Sequence, residues 1–464
     1  MIEITKGYDV LVIGGGNAAL CAAISAREAG SSVLILEHAP KDYRGGNSRH
    51  TRNLRCAHDG PTQFLGGEYT EETYFQELLK VTGGKTDKKL ARMMVRESAN
   101  APNWMYERGA RFQHIQGTLG LAHSNPFFLG GGTALLNALY NRASKLGIEV
   151  IYDSEVLALD VVGGEFRSAT VRSRAFTYEV MAKTVIVASG GFQSDISWLK
   201  EAWGEAAENF IIRGTPYNKG KILKELISKG AKAIGDPQQC HAVAVDARSP
   251  QFDAGIVTRL DCVSFGVVVN KNADRFYDEG EDFWPKRYAI WGRLVAGQPD
   301  QIAYSIIDSK SINLFMPPLF QPVQADSIRE LGGKLGLDVD RFEETISNYN
   351  AAVKPGTFNK EELDDCSTFG LEPAKTHWAR RLDKPPYYAY PLRPGITFTY
   401  LALKVDEKAR VIMQDDKPAK NIYATGEIMA GNILGKGYMA GTGMTIGTVF
   451  GRIAGKEAAN YVTQ

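Results

Sequence analysis

Thirty residues near the start of this chain, Tyr8 to Glu37, constrain its fold more than any other stretch. Tyr8-Asp9-Val10-Leu11-Val12-Ile13 is an apolar, β-rich run of the kind that forms a strand buried on both faces. Gly14-Gly15-Gly16-Asn17-Ala18-Ala19 follows, then an alanine-rich helical stretch from Leu20 to a stop at Gly30. A second apolar run, Ser32 to Leu36, is closed by Glu37. Strand, glycine turn, helix, strand and acid in that order make a βαβ unit. Inside it, Gly14-x-Gly16-x-x-Ala19 meets the demands of a dinucleotide cradle. The first glycine permits the tight turn, the second lets backbone approach a pyrophosphate, and Ala19 is small enough for helix to meet strand. The helix N-terminus presents free N–H groups and the positive end of its dipole to the phosphates. Glu37, 23 residues past Gly14, is placed to accept hydrogen bonds from a ribose diol.

Glycine is distributed unevenly along the rest of the chain. Of the 48 glycines in 464 residues, 11 lie in the 190 residues from 236 to 425 and 37 in the remainder, so an ordinary middle is set into a glycine-rich whole. The flanks read as α/β: a helix from Thr133 to Leu146, a strand at Ile148–Tyr152, a hairpin over Val156–Ala182 turning at Gly163-Gly164, and a buried strand at Lys183–Ala188. After the Lys384-Pro385-Pro386 break the glycine-rich texture returns, with a strand at Asn421–Ala424 and a last helix from about Gly443. The middle reads as mixed strands and short helices, with one amphipathic helix over Leu337–Ala352.

Charge and cysteine content exclude several classes. With 54 Lys and Arg against 53 Asp and Glu, no bulk field favours nucleic acid, and none is expected as a partner. Cys21, Cys56, Cys240, Cys262 and Cys366 are far apart, odd in number and without a CxxC pair, which argues against a disulfide framework, a structural zinc and dithiol redox chemistry. His58, His114, His123 and His377 have no metal-ligand spacing, and no metal is expected. No run approaches 18 apolar residues and no leader-like segment precedes the first strand, so the expected compartment is a reducing cytoplasm.

Four later segments select FAD over a nicotinamide. Gly45-Gly46-Asn47-Ser48 stands where flavoproteins place backbone and hydroxyl groups near the pyrophosphate and flavin. Ala188-Ser189-Gly190-Gly191 resembles the ATGG segment that packs beside FAD, and Ala424-Thr425-Gly426-Glu427 the late segment whose acid binds the ribityl chain. Gly441-Thr442-Gly443-Met444-Thr445 opens the last helix, whose N-terminus would stabilise negative charge at the N1–C2 edge of reduced flavin. The candidate cofactor contacts are Gly14, Gly16, Asn17, Ala18, Ala19, Glu37, His38, Gly45, Gly46, Asn47, Ser48, His50, Thr51, Val156, Ala188, Ser189, Gly190, Gly426, Glu427, Gly441, Thr442, Gly443, Met444 and Thr445.

Nearly the whole chain resembles the fumarate reductase/succinate dehydrogenase flavoprotein superfamily. Within it, the chain looks closest to FAD-dependent tricarballylate dehydrogenases through three strings: Gly45-Gly46-Asn47-Ser48-Arg49-His50-Thr51-Arg52-Asn53, Arg275-Phe276-Tyr277-Asp278-Glu279-Gly280-Glu281-Asp282-Phe283-Trp284 and Gly435-Lys436-Gly437-Tyr438-Met439-Ala440-Gly441. The resemblance implies an α/β fold: a Rossmann-like FAD-binding domain in two segments, 1–236 and 383–464, with an inserted α+β capping domain at 237–382 that carries the substrate side chains. His50-Thr51 resembles the Ser-His-Thr of succinate dehydrogenases, whose histidine bonds to FAD. The covalent position falls in register at Asn47, so non-covalent FAD is expected.

The same resemblance places His241 and Thr258 at substrate-binding positions of the cap, and Arg275 in a structural turn. Departures from fumarate reductases are informative. Their Thr-Glu-x-x-Arg relay becomes Thr258-Arg259-x-x-Cys262, and their active-site Arg falls at Phe283, with Arg287 and Tyr288 just beyond. Their late-strand His becomes Thr397 or Phe398, and their last clamping Arg becomes Tyr438, with Lys436 alongside. Desaturating a CH–CH bond beside a carboxylate needs a base for the α proton, a hydride acceptor, and cations for the carboxylates. His241, Thr258, Arg259, Arg393, Lys436 and Tyr438 are the substrate-binding candidates. Arg287 or Tyr288 is the candidate base, the arginine only if burial among cations lowers its pKa.

The expected reaction is oxidation of tricarballylate, a small polycarboxylate, to cis-aconitate. The expected electron acceptor is a separate membrane protein, which would hold the enzyme peripherally at the inner membrane. A 3-ketosteroid Δ1-dehydrogenase-like enzyme, a fumarate reductase-like enzyme and a flavin subunit that only relays electrons are the alternatives.

Overall fold

The computed structural model describes residues 7–115, 123–174, 176–282 and 284–464, without the side chains of 284–287. The chain divides into two units. One comprises Met1–Ala202, Gly214–Cys240 and Phe398–Gln464, and the other Trp203–Arg213 and His241–Thr397.

The first unit is built on an eight-stranded sheet. Its centre is β1 (Tyr8–Ile13), which pairs in parallel with β2 (Val33–Leu36) on one side and with a long strand, Phe176–Val187, on the other. Val10 pairs with Val33 and Thr184 across these ladders, and the consecutive residues Val10 to Ile13 are all buried, so both faces are covered, as the unbroken apolar run predicts. Glu149–Ile151 extends the sheet beyond β2, and Pro418–Ala424 pairs in parallel with Phe176–Val187 on the opposite flank. The hairpin turn at Gly163-Gly164 joins Ser154–Val162 to Glu165–Ser173. The next strand then runs without a break into the central sheet at Val187, so one strand stands where the sequence suggested two.

Helix α1 (Asn17–Glu28) is buried from Ala19 through Ala26, because its alanines offer no polar face. It packs on the last helix, Thr442–Thr463, through Gly447, Gly451 and Gly455. A Cβ on Gly451 would lie 2.6 Å from the Ala18 carbonyl oxygen, and one on Gly455 would strike the Ala22 carbonyl. Part of the glycine excess therefore serves close helix packing and not the cofactor.

The second unit is a six-stranded sheet covered on both faces. Val267 and Val269 point to one face, where Phe342, Ile346 and Tyr349 of the helix Val339–Ala352 pack. Val268, between them, points to the other face, against Trp291 and Val295 of the helix Trp284–Ala296. The strand alternation decides which helix each valine meets. Asp338 caps the first of these helices, accepting from Asp340 N at 3.1 Å and Arg341 N at 3.0 Å, which starts it two residues past the expected Leu337.

The observed boundaries differ from 237 and 383. The unit resumes at His241 and ends at Thr397, because Tyr387–Thr399 is a 13-residue strand of its sheet rather than a linker after the prolines. The short segment Trp203–Arg213 also belongs to it, through Ile211–Ile212 pairing in parallel with Gly395 and Ile396. Among the described residues, no helix is long and apolar enough to cross a membrane.

Candidate functional site

The cofactor cradle forms where β1 ends. Gly14 sits at φ +110°, open to glycine alone, and its amide donates to Leu36 O at 2.8 Å. Gly16 is the N-cap of α1 and has no side chain to cap it. Ser48 Oγ, from the second glycine segment, accepts from Asn17 N at 3.1 Å instead. The Asn17 side chain turns away, donating to Thr448 Oγ1 at 3.0 Å, and braces α1 against the last helix. Gly15 keeps its carbonyl oriented by Tyr140, whose hydroxyl donates to it at 2.8 Å, and Arg44 stacks on the Tyr140 ring at 4.4 Å.

Glu37 is buried at the end of β2, and burial raises its carboxyl above the usual range. Its oxygens accept from Ala39 N at 2.9 Å and Gly45 N at 3.2 Å, so this acid also fixes the second glycine segment. His38 meets the ring of Tyr217 edge-on at 5.0 Å, and Val156 is buried in the adjoining strand. Gly45 and Gly46 are both left-handed and start the short helix Gly46–His50. Asn47 Oδ1 there accepts from Thr215 N at 3.0 Å, and Thr51 Oγ1 donates to Asn53 O at 3.2 Å.

The distant segments converge on the same end of the sheet. Ala188 N donates to Ile13 O at 2.9 Å, which sets Ala188-Ser189-Gly190 beside Gly14. Thr425 N donates to Val187 O at 3.0 Å, which brings Gly426 and Glu427 to the same edge. Ser189 Oγ and Thr425 Oγ1 are buried with no hydrogen-bond partner among the described residues. Buried hydroxyls left this way fit a polar ligand, and with the open glycine turn and the acid at Glu37 they suit FAD. The last helix begins at Gly441, left-handed at φ +86°. Thr445 Oγ1 and Arg55 pin its first turn, with Arg55 N donating to that oxygen at 3.1 Å. Gly443 N donates to Tyr438 OH at 3.3 Å, and Met444 is buried.

Glu427 accepts from Thr399 N at 2.9 Å and from Gln193 Nε2 at 3.4 Å, yet burial pushes its carboxyl up to about 7. Between pH 4.5 and 7 the folded flavin-free protein keeps a proton that the unfolded chain has released. Its contribution to stability is complete below pH 4.5 and is lost as pH rises through 7, a change of up to about 3 kcal/mol. Thermal unfolding of flavin-free protein across that window should show the decline, and E427Q should flatten it. An unchanged slope in E427Q would assign the effect elsewhere.

The second unit gathers several of the substrate candidates. His241 is 4% exposed, and burial followed by the charges of Arg213 and Arg259 drives its imidazole well below the usual histidine range. It is therefore neutral at physiological pH, able to donate from one ring nitrogen and accept at the other. The Tyr288 ring meets it edge-on at 5.8 Å, and the Arg259 guanidinium lies over that tyrosine, 4.6 Å from its ring centre. Arg259 is held by a two-pronged pair with Asp261, at 2.6 and 2.8 Å. Thr258 is buried and donates to Gly255 O at 3.1 Å.

Arg393 is placed differently: its guanidinium donates to Asp300 O at 2.6 Å and Gln301 O at 3.4 Å. Lys436 is exposed in the first unit, and the Arg287 side chain lies outside the described residues. Sequence reasoning missed Arg213. It is 4% exposed and donates to Thr397 Oγ1 at 2.9 Å, the hydroxyl at one of the two positions where the late-strand histidine was expected.

Comparisons with known proteins agree with this architecture. A family model described as FAD binding domain matches residues 9–444. An NADH:fumarate oxidoreductase of Klebsiella pneumoniae is 27% identical, over 98% of this chain and 48% of its own length, so this chain spans about half of that relative. The open conformation of a flavocytochrome c3 fumarate reductase superposes with a TM-score of 0.77 at 22% identity, covering 99% of this chain and 79% of that one. A 3-ketosteroid-Δ4-(5α)-dehydrogenase from Rhodococcus jostii RHA1 superposes at 0.73 and 20% identity, over 98% of each chain. Cradle, orphaned hydroxyls and the near-complete family match lead to one conclusion: the chain belongs to the FAD binding domain family and takes FAD as its cofactor.

Proposed function

We propose that this chain is an FAD-dependent oxidoreductase that desaturates a CH–CH bond beside a carboxylate, with tricarballylate as substrate and cis-aconitate as product. The observation that carries the reading is the cluster of His241, Thr258, Arg259 and Tyr288 in the inserted unit, a neutral imidazole set among cation and hydroxyls. Such a set offers a carboxylate guanidinium, imidazole and hydroxyl donors. The fumarate oxidoreductase similarity supports a carboxylate-bearing substrate.

FAD, when bound, supplies the acceptor for the hydride. The chain's own residues do the rest. Arg259, fixed by Asp261, holds a substrate carboxylate and stabilises the enolate charge that develops as the α proton leaves. His241 and Thr258 orient a second carboxylate. Tyr288 as its phenolate, or Arg287 as the neutral guanidine, takes the proton; the tyrosine ring lies against both His241 and Arg259. The electrons then pass to a separate acceptor, which we assign to a membrane protein.

Tricarballylate added anaerobically to the oxidised holoenzyme should bleach the flavin near 450 nm, with cis-aconitate appearing in equal amount. A flavin left oxidised at saturating tricarballylate would overturn the reading. Tyr438 favours a second one, since its partly exposed hydroxyl beside Gly443 N suits a ketone oxygen. Bleaching by a 3-ketosteroid and not by tricarballylate would select it.

A further inference from the structure

The helix Val339–Ala352 gives way at Val353 to extended backbone, and Pro355 with Gly356 keeps the chain from winding further. Lys354 N donates to Ser367 O at 2.9 Å, so the residues between them form a closed loop. Its acids are engaged by its own backbone: Asp364 Oδ2 accepts from Asn359 N at 3.1 Å, and Asp365 Oδ1 from Thr357 N at 2.7 Å. That loop, Lys310 and the stretch 379–383 border a cavity of about 440 Å³ within the inserted unit. Val353, Phe358 and Ala379 give the cavity an apolar side. Its charged side is Lys310, Lys354, Arg380, Arg381 and Asp383.

These charges do not balance. Lys310 Nζ donates to Asp383 and to Arg381 O at 2.7 Å, and faces Asp308 Oδ2 at 3.1 Å, so the acid of the lining already has its cation. Arg380 is fixed without a carboxylate: Nη2 donates to Ser311 Oγ at 2.8 Å, and the guanidinium lies 3.9 Å over the Phe358 ring. Asp308 and Asp364 act on it only as neighbouring charges, and burial outweighs them, lowering its pKa from the usual arginine value. Lys354 is exposed over the Phe369 ring at 4.3 Å, and Arg381 is exposed. Among the described residues no carboxylate pairs with Lys354, Arg380 or Arg381. Elsewhere in this unit Arg248, Arg259, Arg275, Arg329 and Arg341 each stand 2.6–2.8 Å from a carboxylate oxygen. Three cations drawn to one cavity without counter-charge repel one another, and an anion placed among them reverses that cost.

We propose that this cavity is a further binding site, for a small organic oxyanion of two negative charges: its phosphate or carboxylate groups lie against Arg380, Arg381 and Lys354, and its apolar body against Val353 and Phe358. Arg380 is the preset part of the site, because Ser311 and Phe358 fix its plane before a ligand arrives, and Nη1 makes no bond to the described residues. An arginine fork held this way meets an oxyanion with directed bonds, to which Arg381 and Lys354 add charge. The space suits a whole molecule and not a bare ion, since small-ligand pockets run from about 300 to 1,000 Å³. None of these residues has a role in the oxidation proposed above, so the two assignments fail separately.

Phenyl phosphate and phthalate are the probes, each an apolar ring carrying two negative charges at about pH 8, with benzamide as the uncharged control. Calorimetric titration of the oxidised holoenzyme should show at least one dianion binding and benzamide not, and the tighter probe assigns the site to phosphate or to carboxylate. R380Q should weaken that probe roughly 10- to 100-fold, and K354Q/R381Q roughly 10-fold. Added salt should weaken it in wild type as well. Wild type that binds neither dianion would overturn the inference. Binding in K354Q/R381Q that stays within about twofold of wild type would also overturn it, because the anion then sits elsewhere on the protein. Should R380Q fail to fold, the double variant decides alone, since both of its side chains are exposed.

Discussion

Gly14→Ala should yield protein that purifies with less than about a tenth of its FAD and unfolds about 2–5 kcal/mol less stably. Two costs combine. The backbone at φ +110° is one an alanine rarely adopts, which costs about 1–2 kcal/mol. The added Cβ would also collide with the Ala188 carbonyl oxygen and stand 2.9 Å from its carbon and 3.3 Å from Ser189 Cα. All three are backbone atoms at the end of the neighbouring parallel strand, tied to β1 by the bond from Ala188 N to Ile13 O. No side chain can rotate to relieve the overlap, so the two strands must part where the pyrophosphate would sit. Gly333→Ala is the matched control. It lies within the helix Ile328–Leu335, with nothing within 4 Å of the added carbon, and should stabilise by up to about 1 kcal/mol. Flavin absorbance per protein and thermal unfolding read both variants. Full FAD content in G14A would mean that the turn is not what seats the cofactor.

The cofactor half of this molecule was largely legible in the sequence, and the substrate half only in part. Backbone-dominated sites leave signatures in residues that nothing else can replace, such as Gly14, Gly45 and Gly441, all left-handed here. Their strand and helix neighbours then follow from apolar runs and caps. Side-chain sites leave weaker traces, because a binding arginine and a surface arginine are the same letter. The placement of Arg213 was invisible because a two-residue strand, Ile211–Ile212, has no periodicity to reveal that it belongs to the inserted sheet. Arg393 was suspected from the rigid prolines around it. In the structure those residues lie within a 13-residue strand, and the guanidinium bonds the backbone of Asp300 and Gln301. Glycine itself proved to have two functions. Gly447, Gly451 and Gly455 bring two helices together and touch the cofactor question only by positioning α1 and the last helix. Buried charge is the hardest feature to foresee: no pattern in the sequence marks Lys375 and Glu279 as buried, yet they are 0% and 3% exposed.

Glu279→Ala should destabilise the inserted unit by about 3–5 kcal/mol, since it leaves buried cations without their counter-charge. The Glu279 carboxylate accepts from Arg275 Nη2 at 2.6 Å, Arg275 Nε at 3.0 Å and Val268 N at 2.8 Å. Alanine removes all three acceptors at once. Arg275 retains the carbonyl of Pro373 at 2.6 Å, but Val268 N, in the middle of a buried strand, loses its partner. Lys375 is affected too. Its ammonium donates to Ser264 O and Gly266 O, both at 2.8 Å, while burial pulls its pKa down to about 8 and Glu279 opposes that fall. The sign of its pH dependence follows directly. Between pH 8 and 10.5 the unfolded chain holds a proton that the folded state has released, so stability rises with pH across that window and is lost as pH falls through 8. The span is up to about 3 kcal/mol. In E279Q, which keeps the shape but not the charge, the window should open at lower pH, because the largest charge that offsets burial has gone and only Asp278 and Asp364 remain. K375M should abolish the slope, at little cost in stability if the methyl end packs where the ammonium sat. Chemical unfolding of the three variants from pH 7 to 10.5 separates these effects. Wild-type stability that is flat over that range, or E279A within 1 kcal/mol of wild type, would show that water reaches this cluster and that its charges are not buried in solution.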